Sequence, residues 1–110
     1  MSEQAASHVS GLDPRFLEDV ALVIKTLGHP DRLRIIECIQ FEDMKVKDIQ
    51  QALSLPQAVT SQHLRQMFHL GIVNSRREGK NVLYGIGNPI VMRLLHCLEA
   101  TQKALMEGNE

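Results

Sequence analysis

Long hydrophobic runs are missing from this chain. Its longest unbroken apolar stretch is Val20 to Ile24, far short of the roughly 20 residues that cross a bilayer as a helix. The opening MSEQAASHVSGLDP has neither a basic n-region nor an apolar h-region, so a secretory leader is not expected and the chain reads as cytoplasmic. Cysteine is scarce as well. Cys38 and Cys97 stand far apart without Cys-x-x-Cys spacing, so neither a disulfide framework nor a thioredoxin-like motif is indicated, and free buried thiols are the expectation. A phosphate loop, a nucleophile elbow and a His-Glu-x-x-His pair are also missing. Ser61 and His63 do not replace them, because helical neighbours two apart diverge. Neither an enzyme nor a cofactor is expected. No repeat, low-complexity tract or linker divides the 110 residues. The expectation is one domain, residues 13–107, behind a flexible polar N-terminal arm, residues 1–12. A domain of this size buries only about 65% of its unfolded surface, so a partner subunit would help it.

A net charge of −1 offers no general excess of positive charge, but charge concentrated on one face matters more than the total. Residues 1–56 hold six Lys/Arg against nine Asp/Glu, whereas residues 57–80 hold Arg65, Arg76, Arg77 and Lys80 against Glu78 alone. The basic stretch lies between acidic ends.

Apolar spacing and breaker residues give five helices and one hairpin. Pro14 behind Asp13 opens a first helix with Phe16, Val20, Ile24 and Leu27 at helical spacing, and Gly28 stops it. A second starts near Pro30 and Asp31 and carries Leu33, Ile36 and Ile39; a third, short one carries Val46, Ile49 and Leu53. After Ser54-Leu55-Pro56 the fourth places Thr60, Leu64 and Met67 at i, i+4 and i+7, with Gly71 as its left-handed cap. The last runs from about Pro89 and spreads Ile90, Val91, Leu94, Leu95 and Leu98 over more than one stripe. That is more apolar surface than a peripheral helix of a small monomer should expose, and it calls for a partner.

The third and fourth helices make a helix-turn-helix, whose second helix is the one that enters the major groove. With Thr60, Leu64 and Met67 inward, Gln57, Val59, Ser61, Gln62 and Arg65 lie outward or on the flanks. Amide, hydroxyl and guanidinium groups suit base edges and phosphates, and Val59 could touch a thymine methyl. A solvated helix face would look the same in isolation. The next segment, IVNSRREGKNVLYGIG, shifts the reading: Val82, Tyr84 and Ile86 alternate against Leu83 and Gly85 around a turn at Glu78-Gly79-Lys80-Asn81. A hairpin carrying Arg76, Arg77 and Lys80 directly after a polar helix is suited to clamping phosphates beside a groove.

Over about residues 14–100 the chain resembles the ArsR/SmtB-type bacterial winged-helix repressors. LGHPDRLRIIECI, VKDIQQALSLPQAVTSQHLRQMFHLGIV and RREGKNVLYGI look like that family's second helix, helix-turn-helix and wing. The resemblance implies a mainly α fold with a β-wing. It implies a homodimer through the terminal helices and repression at an imperfect palindromic operator in double-stranded DNA, relieved by an inducer. By position it places Gln57, Ser61 and Gln62 where family members contact bases, with Ala58 and Val59 beside them, and Arg76 and Lys80 on the wing. His63 falls in the family's Ser-x-His-Leu pattern, where packing is at least as good a role as DNA contact. Thr60 departs from the family's aliphatic residue, and Pro56 from its capping Ser.

The inducer is not legible. Family metal sensors carry paired cysteines on the third helix, where this chain has MKVKDI, and Asp and His at two places on the last helix, where it has Asn88, Ile90, Thr101 and Ala104. No metal site is expected. His96 and Cys97 are neighbours about 100° apart on a helix, so with Glu99 they cannot easily chelate one ion. Some members sense reactive sulfur or oxidants through thiols on the second and last helices, which makes Cys38 and Cys97 candidate thiol sensors, although both are offset from the usual places. The rival to a DNA-binding regulator is a winged-helix protein-interaction module.

Overall fold

The computed structural model describes residues 11–108. Most of the expected N-terminal arm lies outside the described residues. Eight elements follow in order: α1 (Pro14–Thr26), α2 (Pro30–Cys38), β1 (Met44–Lys45), α3 (Val46–Leu53), α4 (Gln57–His69), β2 (Val73–Glu78), β3 (Asn81–Ile86) and α5 (Pro89–Gly108). The five helices and the wing are those the sequence predicts. No described helix is long and apolar enough to cross a membrane.

The helix ends follow from local chemistry. Asp13 caps α1 by accepting the Arg15 N–H at 2.9 Å, with Pro14 in the first turn, where its missing N–H costs nothing. The cap of α2 is His29, whose Nδ1 accepts the Asp31 N–H at 3.1 Å, a role that the sequence reading did not give it. Asn88 serves α5 through the Ile90 N–H at 2.8 Å. At the end of α4 the Gly71 N–H donates to Phe68 O and the Ile72 N–H to Met67 O, with Gly71 at φ 74°. This is a Schellman motif, closed by two residues, Ile72 and Met67, that are both buried.

One apolar core joins all five helices: Val23 from α1 and Leu27 at its C-cap, Ile35 and Ile36 from α2, Ile49 from α3, Leu64 and Met67 from α4, and Val91 and Leu95 from α5. The predicted stripe of α1 is partly displaced. Leu27 is buried, but Phe16 and Ile24 are 45% and 55% exposed, and Val23 and Thr26 complete the inward face. Both faces of α1 are apolar, and a single chain has a core for only one. The buried Thr26 hydroxyl is satisfied by Leu22 O at 2.7 Å.

The hairpin is part of a three-stranded antiparallel sheet of order β1-β3-β2. The third strand was not expected, because two residues carry no periodicity. Met44 pairs with Tyr84 and Lys45 with Leu83, while β2 and β3 run in register from Val73 opposite Ile86 to Glu78 opposite Asn81. The two-residue loop has a positive φ of 63° at Gly79 alone, which fits a type II′ turn. Since opposed residues share a face, Val73, Met44, Tyr84 and Ile86 lie toward the core, and Asn74, Arg76, Leu83 and Lys45 on the other face.

Candidate nucleic-acid interface

Ser54, in the left-handed region at φ 55°, ends α3, and Leu55 N–H closes the turn on Gln50 O at 3.0 Å. The reversed chain enters α4 at Pro56, which offers no side-chain cap. Thr60, His63, Leu64 and Met67 are buried against α3 and the core. Gln57, Ala58, Val59, Gln62 and Arg65 are exposed, and Ser61 is half-buried on the flank. The expected polar face therefore points to solvent, led by the N-terminal half of the helix. Thr60 fits its inward position because its hydroxyl donates back to Pro56 O at 3.0 Å, so no polar atom is stranded. His63 is buried and packs behind the exposed face, and its Nδ1 accepts from Arg32 Nε at 3.0 Å. Burial first, then the Arg32 and His29 charges, push its pKa below the ordinary value, with Asp31 opposing them.

The wing differs from expectation in one respect that matters for charge. Arg76 is engaged, with Nε 2.8 Å from Asp43 Oδ2 and Nη1 3.0 Å from Glu78 Oε2. The two carboxylates raise its pKa further and offset its charge. Asp43 lies just ahead of β1 and reaches Arg76 across Gly85, where any Cβ would collide with the carboxylate oxygen Oδ1. Glycine in mid-strand is the sequence mark of such a close approach. Arg77 and Lys80 are exposed and take part in no ion pair among the described residues.

The two thiols differ. Cys38 is half-buried, with its Sγ 3.6 Å from Met44 Sδ, and burial followed by the nearby Glu37 charge pushes its thiol above the ordinary range. Cys97 is exposed on α5, 4.0 Å from Thr101 Oγ1. Near it, Glu99 accepts from Gln40 Nε2 at 3.2 Å. A different trio, His29, Asp31 and His63, brings one ligand atom each within 4.8 Å of the others. The chemistry of these donors does not suit a cation. Each imidazole already accepts at Nδ1, which leaves its proton on Nε2, and the Arg32 guanidinium lies against the ring of His63.

Residues 29–75, from the cap of α2 into the wing, match the family model described as bacterial regulatory protein, arsR family. The transcriptional repressor PagR of Bacillus anthracis is 38% identical over 87 residues, which cover 78% of this chain and 87% of that one. A biofilm growth-associated repressor of Agrobacterium fabrum is 33% identical over 74% of this chain and 70% of its own. Among solved structures, the homodimeric winged helix-turn-helix DNA-binding domain Mb0332 from Mycobacterium bovis superposes with a TM-score of 0.74 at 27% identity. It covers 91% of this chain and 95% of that domain.

Proposed function

This chain belongs to the ArsR family of bacterial regulatory proteins, and we propose that it is a homodimeric transcriptional repressor that reads an imperfect palindrome in double-stranded DNA. The observation that carries the reading is the pairing of the exposed N-terminal half of α4 with a wing whose Arg77 and Lys80 are in no ion pair. Gln57, Ser61 and Gln62 read base edges, with Ala58 and Val59 against the groove floor; Arg65, Arg77 and Lys80 hold phosphates. Arg76 orders the wing through Asp43 and contributes less charge than its position in the sequence suggests.

Dimerisation is supported by the apolar residues that α1 and α5 leave uncovered: Phe16, Leu17 and Ile24 on one, Leu98, Leu105 and Met106 on the other. These two helices are in contact with each other. Exposed apolar area of that extent is costly in water and is covered by a second copy in a two-fold dimer. The homodimeric state of the Mycobacterium bovis domain supports the same arrangement. A two-fold axis then sets the two α4 helices about 34 Å apart, one turn of DNA, hence the palindrome.

The test is fluorescence anisotropy with the DNA upstream of the protein's own gene, over 50 to 300 mM salt. A dimer neutralising about six phosphates gives a slope of log K against log salt near −5. A flat dependence, or no binding at low salt, would refute the proposal and favour a protein-docking module.

A further inference from the structure

One cation of the fold touches neither solvent charge nor the wing. Arg32, half-buried in the first turn of α2, donates from Nη1 to Thr26 O at 3.1 Å, from Nε to His63 Nδ1 at 3.0 Å and from Nη2 to Gln66 Oε1. Thr26 is the last residue of α1, so its carbonyl is among those a helix end leaves without a partner. His63 and Gln66 stand three residues apart on one side of α4 and are each next in sequence to an outward residue, Gln62 and Arg65. A single guanidinium thus joins α1, α2 and α4.

We infer that Arg32 is a positioning residue for DNA reading, which fixes the rotation of α4 about its own axis through His63 and Gln66. The inference rests on the proposed function. Thr60, Leu64 and Met67 anchor α4 in the core, and the apolar contribution to that anchoring is non-directional. Hydrogen bonds are directional and weaken steeply with distance and angle. A side-chain tip roughly 6 Å from the helix axis moves about 1.5 Å for a 15° turn, enough to lose a bidentate base contact. The planar fork of arginine serves three acceptors in different directions, which a lysine ammonium cannot do in the same geometry. The other groups facing His63 are His29, whose ring meets it edge-on with centroids 4.6 Å apart, and Asp31. A proton on His63 Nδ1 removes the acceptor and puts a second cation against Arg32. The hold is therefore present while His63 is neutral and is lost as the pH falls.

The experiment compares wild type with Arg32→Lys on two labelled duplexes, the DNA upstream of the protein's own gene and a shuffled duplex of equal length and composition. Expected for Arg32→Lys is cooperative melting, an unchanged dimer, affinity for the shuffled duplex within twofold, and a tenfold or greater fall in the ratio of the two affinities. The wild-type ratio is also expected to fall as the pH is taken below 6.5, and the variant ratio to stay level. If Arg32→Lys does not melt cooperatively, Gln66→Ala at an exposed position replaces it, with an expected fall of about threefold. Unchanged discrimination in a folded variant overturns the inference and leaves the proposed function standing. Wild type that binds neither duplex overturns both.

Discussion

Substitution of Asp43 by Asn tests whether the wing's charge is set by contacts in space. Around the turn lie Arg76, Arg77 and Lys80 against Glu78, and Asp43 reaches in from just ahead of β1. Arg76 is bonded to both carboxylates at 2.8 and 3.0 Å, so Arg77 and Lys80 are the cations open to phosphate. Each phosphate neutralised contributes about 0.9 to the slope of log K against log salt. Every substitution occurs twice in a dimer, so gain or loss of one contact per protomer changes the slope by about 1.8 and the affinity lost between 50 and 200 mM salt by about twelvefold.

Expected, then, is that Lys80→Ala and Arg77→Ala flatten the slope by up to this amount. Arg76→Ala leaves the slope nearly unchanged, and Asp43→Asn steepens it by partly releasing Arg76, which keeps Glu78. All four effects are the same on operator and random DNA, because phosphate contacts carry no sequence information. The assay is anisotropy at five or six salt concentrations, with melting curves to show that each variant is folded. The reasoning fails if Arg76→Ala flattens the slope as much as Lys80→Ala, for the carboxylates would then be giving way to phosphate on the complex.

Four further outcomes are expected. Gln62→Ala lowers the preference for operator over random DNA by about 1–3 kcal/mol with little change on random DNA; equal losses on both would remove it as a base reader. Ile36, fully buried in α2, costs about 2–5 kcal/mol on truncation to Ala, read as a lower urea midpoint at fixed protein concentration. Because the folded pKa of His63 lies below the ordinary 6.5, the unfolded chain takes up the proton first. The stability that this group supplies is complete above the ordinary value and is lost as the pH falls through it toward the folded one. The urea midpoint of wild type should drop from pH 7.5 to 5.5 by more than that of His63→Asn, and equal drops would count against a buried neutral imidazole. Iodoacetamide should alkylate exposed Cys97 well before Cys38, whose thiolate is disfavoured by burial and by Glu37, as peptide mapping over time would reveal.

What the sequence made legible is local. The 3.6-residue spacing of Thr60, Leu64 and Met67, the Gly71 cap and the alternation in the wing all depend on residues within one or two turns of each other. What it hid depends on pairs brought together by the fold. Arg32 meets His63 and Gln66 from 31 and 34 residues away, and Arg76 meets Asp43 from 33. Nothing in the spacing of either partner marks the other. β1 is hidden for a related reason: two residues become a strand only because Tyr84 and Leu83 present a free edge to Met44 and Lys45. His29 was legible in principle, since it stands directly before a proline that opens a helix. Histidine is an uncommon cap, and its ring nitrogen takes the place that a Ser or Asp oxygen usually fills.

The pairing of Arg76 changes how the interface divides its work. Counted along the chain, residues 57–80 carry three more basic than acidic side chains. Counted in space, Asp43 and Lys45 join the wing sheet with opposite charges, and Asp43 and Glu78 together engage Arg76. A wing with Arg76 so engaged adds less to general attraction for DNA, so a larger part of the binding comes from contacts that depend on the placement of α4. Those contacts tolerate little rotation. The less the wing holds by charge alone, the more the reading of sequence depends on what fixes the helix from behind. In this fold that is the guanidinium of Arg32, whose charge is spent on Thr26, His63 and Gln66.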